Sequence, residues 1–122
     1  MSAVLLDAGL CPVATTIELI GGKWKILILR ELLKGPQRYR DLKSNVRGVS
    51  QKMLTQSLRE MEADNLIIRT VYAEVPPRVE YKLSSVGESM GTMIESMQQW
   101  GRSFLDSADD EYLQDRFGWS GK

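Results

Sequence analysis

At Leu66 the hydrophobic period of the chain changes, and that change limits the folds open to it. Upstream, apolar residues recur at helical spacing. Downstream, Leu66-Ile67-Ile68-Arg69-Thr70-Val71-Tyr72 is rich in β-branched and aromatic residues, and Val79-Glu80-Tyr81-Lys82-Leu83 alternates strictly. Between the two runs lies Glu74-Val75-Pro76-Pro77-Arg78, a stiff loop, because each proline fixes φ and lacks a donor. Two strands joined this way predict a hairpin. The chain is therefore read as helices followed by a β-hairpin, an α+β arrangement.

The stretch before the switch, Ser50 to Glu62, predicts one helix with two unlike faces. Ser50 is a good N-cap, since its hydroxyl can accept from an otherwise unpaired first-turn amide. Leu54, Leu58 and Met61 form an apolar stripe at i, i+4 and i+7. Gln51, Lys52, Thr55, Gln56 and Arg59 lie opposite, the amides, hydroxyl and cations that bond to base edges and phosphates in a major groove. Taken alone, such a face is also what an ordinary solvated helix shows. The preceding segment Arg38–Val46 predicts a short amphipathic helix with Leu42 and Val46 inward, and Gly48 permits a tight turn. Short helix, glycine turn and polar-faced second helix is the pattern of a helix-turn-helix. Asn65, tolerant of the left-handed conformation, ends it. A hairpin placed directly afterwards is a wing. Arg78 at its tip is then a candidate for phosphate or the minor groove, with an edge-strand solubility charge as the plainer reading.

Elsewhere the punctuation is clear. Residues 1–10 are apolar with weak periodicity, either a frayed arm or a short helix packing on a partner. Cys11-Pro12 opens a helix, with Val13, Ile17 and Ile20 on one face and Gly21-Gly22 closing it. A second helix, about Lys23 to Leu33, is apolar on most sides and therefore central. Ser85 and Glu88 stand at capping-box spacing ahead of a long helix of about 20 residues. Its stripe of Met90, Met93, Ile94, Met97, Trp100, Phe104 and Leu105 needs a cover, and a dimer interface is favoured over a core role. Residues 106–122 are acidic and are expected to be loosely ordered despite Tyr112, Phe117 and Trp119.

A chain of 122 residues with 43% hydrophobic and 26% charged content suits one globular domain. We divide it into an N-terminal arm and helix (1–22), a DNA-binding core (23–84), a dimerisation helix (85–105) and a tail (106–122). No apolar run is long enough for a bilayer span and no leader pattern is present, so a cytoplasmic protein without membrane partners is expected. One cysteine and no histidine exclude an internal disulfide framework and the usual zinc sites, and no cofactor is expected. A thiol enzyme built on Cys11 would lack a histidine base, which argues against catalysis. The formal net charge is zero, but residues 23–78 hold 12 Lys and Arg against 6 Asp and Glu, leaving a basic middle between acidic ends.

Several of these segments together resemble the HxlR-type winged-helix regulators of bacteria. The resemblance rests on Cys11-Pro12-Val13 leading to Ile20-Gly21-Gly22-Lys23-Trp24, on Tyr39-x-x-Leu42, on the strand after Asn65, and on Val75-Pro76-Pro77-Arg78-Val79-Glu80-Tyr81. It spans about residues 11–105. The fold it implies is a winged helix-turn-helix with a two-stranded wing and additional N- and C-terminal dimerisation helices. It implies a homodimer, with Leu5 and Leu6 of the arm joining Met90, Met93, Ile94, Met97, Trp100 and Phe104 in the interface. It also implies double-stranded operator DNA as partner, with recognition helices in successive major grooves about 34 Å apart, and commonly repression.

On that reading Ser50, Gln51, Lys52, Thr55 and Gln56 serve base and nearby phosphate contacts, and Arg59 the backbone. Arg38, Arg40 and Lys43 hold phosphates, and Arg78 the flanking minor groove. Several members of the family sense oxidants, quinones or other electrophiles through a cysteine just before the first helix, the position of Cys11. A thiol at a helix N-terminus feels the positive end of the dipole, which favours the thiolate. Its partners would be a small electrophile, a low-molecular-weight thiol or a second Cys11. Val13 stands where some relatives carry a lysine, which disfavours joint trapping of an aldehyde. A small buried hydrophobe is the plainer reading of Cys11. A winged-helix regulator with a non-thiol signal and a winged-helix protein-interaction module are the alternative functions.

Overall fold

The computed structural model describes residues 9–118. The elements run α1 (Pro12–Ile20), α2 (Trp24–Leu32), β1 (Gln37–Arg38), α3 (Tyr39–Asn45), α4 (Gln51–Ala63), β2 (Ile67–Tyr72), β3 (Arg78–Leu83), α5 (Ser85–Glu88), α6 (Gly91–Ser107) and α7 (Asp110–Phe117). They fall into two compact units, the first ending at Gly91 and the second beginning at Thr92. Leu5 and Leu6 of the expected interface, and Trp119 of the tail, lie outside the described residues.

The core of the first unit is made by the stripes expected of α2, α3 and α4. Ile28, Leu29 and Leu32 of α2 are buried, as are Leu42, Val46 and Val49 around α3, and Leu54, Leu58 and Met61 of α4. Leu66, Ile67 and Leu83 cover them from the sheet side of the chain. Each such side chain contributes roughly 1.5–3 kcal/mol by leaving water, and this burial fixes which face of α4 remains outside. Both ends of α4 follow local chemistry. The Ser50 hydroxyl accepts from the Met53 amide at 3.1 Å. At the other end Asn65 takes φ 60°. The Leu66 amide then reaches Met61 O at 2.9 Å and the Asn65 amide Glu62 O at 3.0 Å, the paired bonds of a Schellman motif. Gly48 adopts φ +88° in the turn between α3 and α4, as expected of it.

The two-stranded wing expected from the sequence is β2 and β3, and the sheet extends one strand beyond it. It has three antiparallel strands in the order β1-β3-β2, with Ile67 opposite Leu83 and Tyr72 opposite Arg78. The added strand β1 is only Gln37–Arg38, paired with Tyr81 and Glu80. A two-residue strand leaves no alternation to read, so Arg38 looked helical. It is in fact the extended N-cap of α3.

Two expectations for the C-terminal region are also corrected. The helix starting at Ser85 stops after four residues, and α6 begins separately at Gly91. The capping residue is Ser84 rather than Ser85. Its hydroxyl accepts from the Gly87 amide at 3.0 Å and donates toward Asn65 O (2.7 Å) and Leu66 O (3.0 Å). These long-range bonds tie α5 to the start of β2. Residues 110–117 form α7 rather than a loose tail. Its first turn carries Asp110 and Glu111, its last turn Arg116, and Gly118 closes it at φ +71°. Leu113 is buried, and Tyr112 packs edge-on against Phe104 at 6.2 Å.

Candidate nucleic-acid interface

Because Leu54, Ser57, Leu58 and Met61 turn inward, the opposite face of α4 is left to solvent. Gln51, Lys52, Thr55, Gln56, Arg59 and Glu60 line one open groove there. Gln51, Lys52, Gln56 and Arg59 are exposed, and Thr55 is half-buried. Glu60, which the sequence reading left out, shares this face. Its carboxylate accepts from Lys25 Nζ of α2 at 2.7 Å and from Gln56 Nε2 at 3.1 Å. The i, i+4 spacing of Gln56 and Glu60 was the available signal. Thr55 is likewise engaged, since its Oγ1 lies 3.0 Å from the Tyr39 hydroxyl, which donates to Gln51 O at 3.1 Å.

Arg40 and Lys43 of α3 and Arg38 of β1 are exposed, as phosphate contacts require. Arg47, in the turn ahead of α4, is a further exposed cation not singled out from the sequence. The wing tells a different story. Arg78 is not a free cation at the tip. It donates to Glu74 at 2.8 Å and to Glu80, and its guanidinium lies over the Tyr72 ring at 3.9 Å. The register explains this, because Tyr72 faces Arg78 across the hairpin and Glu80 lies two residues along the same strand face.

The electrostatics follow from these pairs. The Lys25 ammonium, and after it the Gln56 amide, holds the Glu60 carboxyl below the usual carboxylate range. The Arg78 guanidinium does the same for Glu74, and its own pKa is raised in return. A carboxyl whose folded pKa is depressed adds stability above its unfolded pKa and loses it as pH falls through the folded value. The expected result is an acid-side loss of stability below about pH 4.3, smaller in a Glu60→Gln, Glu74→Gln double variant. Thermal unfolding measured from neutral to acid pH checks it, and an unaltered pH profile in the double variant would contradict the assignment.

Cys11 is exposed and is the N-cap residue of α1, its carbonyl accepting from the Thr15 amide and hydroxyl, both at 2.8 Å. The buried-hydrophobe reading does not hold in this chain. Helix α1 buries none of its residues, and Leu10, Val13 and Ile17 are 56–69% exposed. In the second unit, Met97, Trp100 and Leu105 are exposed, while Met93 and Phe104 are half-buried. Met90, at the end of the first unit, is half-buried as well. Ile94 is 5% exposed, so it is already covered within the single chain. Among the described residues no helix is long and apolar enough to cross a membrane.

Comparison with known proteins agrees with this architecture. The family model described as HxlR-like helix-turn-helix matches residues 19–109. The HTH-type transcriptional regulator YtcD of Bacillus subtilis is 47% identical over 94 residues, covering 77% of this chain and 75% of that protein. Among solved structures, the redox regulator HypR in its reduced form superposes with a TM-score of 0.75 at 38% identity, covering 79% of this chain and 95% of that one. The reduced form of the transcriptional regulator YodB from B. subtilis gives 0.70 at 32% identity, covering 82% and 99%. YodB has also been solved after diamide treatment. With a match over most of its length, a helix-turn-helix whose polar face is exposed and a wing, the chain belongs to the HxlR-like helix-turn-helix family of DNA-binding transcriptional regulators.

Proposed function

We propose that the protein is a cytoplasmic, dimeric repressor whose operator affinity is set by the chemical state of Cys11. The observation that carries this reading is an exposed thiol at the start of a helix with no fully buried residue. A nine-residue helix gains little stability by itself in water. The bare Leu10, just before α1, and Val13 and Ile17 on it suit an apolar interface with a second copy, and so, within the second unit, do the exposed Met97 and Trp100 of α6. Two related structures described as a redox regulator and as a diamide-treated regulator lend support.

In operator DNA, two α4 helices occupy successive major grooves about 34 Å apart. Gln51, Lys52, Thr55 and Gln56 face the bases and nearby phosphates. Arg59, Arg38, Arg40 and Lys43 face the backbone, with Ser50 holding the end of α4. An oxidant such as diamide takes two electrons and two protons from a pair of thiols. The pair is Cys11 with Cys11 of the partner subunit, or Cys11 with a small thiol, and the product is a disulfide plus the reduced diamide. A quinone instead adds to the Cys11 thiolate. Either event alters the packing of α1 and hence the spacing of the two recognition helices, and a few ångströms misaligns both half-sites at once.

The test is fluorescence anisotropy on the DNA upstream of the protein's own gene, with wild type and Cys11→Ser, before and after diamide. The expected result is tight binding by both reduced proteins and release of the wild type alone. Binding that ignores oxidant in both would move the signal away from the thiol, and binding that does not fall with salt would favour a protein-interaction module.

A further inference from the structure

The groove on α4 carries side chains whose protons are already committed. Tyr39 Oη lies 3.1 Å from the Gln51 carbonyl oxygen and 3.0 Å from Thr55 Oγ1. A carbonyl oxygen only accepts, so the single phenolic proton of Tyr39 goes to Gln51. The second bond then needs the proton of Thr55, which leaves Thr55 facing the groove with lone pairs and a methyl group. A similar accounting applies one residue along. The Glu60 carboxylate only accepts, so the amide nitrogen of Gln56 has to face it at 3.1 Å. Lys25, whose side chain is 15% exposed, holds Glu60 in place from α2 at 2.7 Å. Gln56 therefore turns its carbonyl oxygen away from Glu60 and keeps one N–H free.

We infer that Tyr39 and the Lys25–Glu60 pair determine base specificity by setting the hydrogen-bond polarity of Thr55 and Gln56, so that the bases they meet present exocyclic amines. In the major groove adenine N6 and cytosine N4 donate, whereas guanine N7 and O6 and thymine O4 accept. Thr55, with no proton to give, pairs with adenine or cytosine and rejects guanine. Gln56 accepts from adenine N6 with its carbonyl and gives its remaining N–H to adenine N7, so adenine is its base. Tyr39, Lys25 and Glu60 are positioning residues in this scheme. This inference rests on α4 being the helix that reads DNA.

The experiment is selection from duplexes with randomised half-sites, using the full chain under reducing conditions, for wild type, Tyr39→Phe and Glu60→Gln. The wild type is expected to enrich adenine at one position and adenine or cytosine at a second. Tyr39→Phe returns the Thr55 proton to the groove, and guanine or thymine then becomes acceptable at the second position. Glu60→Gln frees the Gln56 amide to turn and relaxes the adenine position. Each preference should fall about tenfold while non-specific duplex is held no less tightly, a separation that a merely structural role would not produce. Guanine or thymine preference in the wild type overturns the inference, as do unchanged preferences in both folded variants. Both results leave α4 as the reading helix. A wild type that binds duplex without sequence preference would instead remove the reading on which the inference stands.

Discussion

Gly87→Ala is expected to destabilise the protein by about 2–3 kcal/mol or more, lowering its unfolding midpoint by roughly 10 °C. In an ordinary helix the same change is favourable, since alanine restricts the unfolded chain and suits the helical backbone. Here a Cβ at position 87 would lie 2.2 Å from the carbonyl oxygen of Leu66 and 3.2 Å from Leu83 Cδ2. The obstruction is backbone, and that carbonyl accepts from the Ser84 amide and lies within reach of the Ser84 hydroxyl. Moving it would break buried hydrogen bonds. Gly101→Ala in α6 is the internal control, because a Cβ there meets nothing within 4 Å. It should raise stability by about 0.5–1 kcal/mol. Thermal unfolding of the two variants decides the matter. If both shift the midpoint in the same direction, the close approach of α5 to the start of β2 is not as described.

Replacing Lys52 and Arg59 together with alanine is expected to weaken duplex binding at every sequence. Both cations are exposed on α4, and among the described residues neither makes an ion pair that would neutralise it. Removing one cation from a phosphate lowers the slope of log affinity against log salt by about 0.9. A fall of about 1.8 in slope, twice that amount, identifies both as phosphate ligands. A fall near 0.9, with altered preference at one base pair, makes one of them a base contact worth about 1–3 kcal/mol. An unchanged slope would remove both from the interface. Arg78→Ala should cost less, because its guanidinium must first leave Glu74 and Glu80 before it can meet a phosphate. Titrations at several salt concentrations measure all three residues on one scale.

Much of the reading face was legible because the rules that make α4 act over short distances. Ser50 caps it through an amide three residues on, and Asn65 ends it within one turn. The spacing of Leu54, Leu58 and Met61 alone assigns Lys52, Gln56 and Arg59 to the outside. The hairpin was legible for the same reason, its strands being six residues each with a proline-stiffened loop. Where a cue extended over two residues, as in β1, there was no period to detect. The acidic start and glycine stop of α7 were present in the sequence, but an acidic terminal segment reads as loosely ordered unless an apolar residue is covered, as Leu113 is here.

What the sequence determined by itself was the order of elements, the inward and outward faces of the recognition helix, and the place of a lone cysteine at a helix start. The tertiary structure decided which polar groups are spent before any ligand arrives. Tyr39 reaches Gln51 and Thr55 across twelve and sixteen residues, and Ser84 reaches Leu66 across eighteen. Lys25 meets Glu60 only because α2 packs beside α4. Arg78 is held by the hairpin register. Capping and periodicity depend on neighbours within about four positions, so a sequence displays them. Hydrogen-bond polarity and close backbone approach depend on which distant segments the buried core brings together, and only the folded chain supplies that.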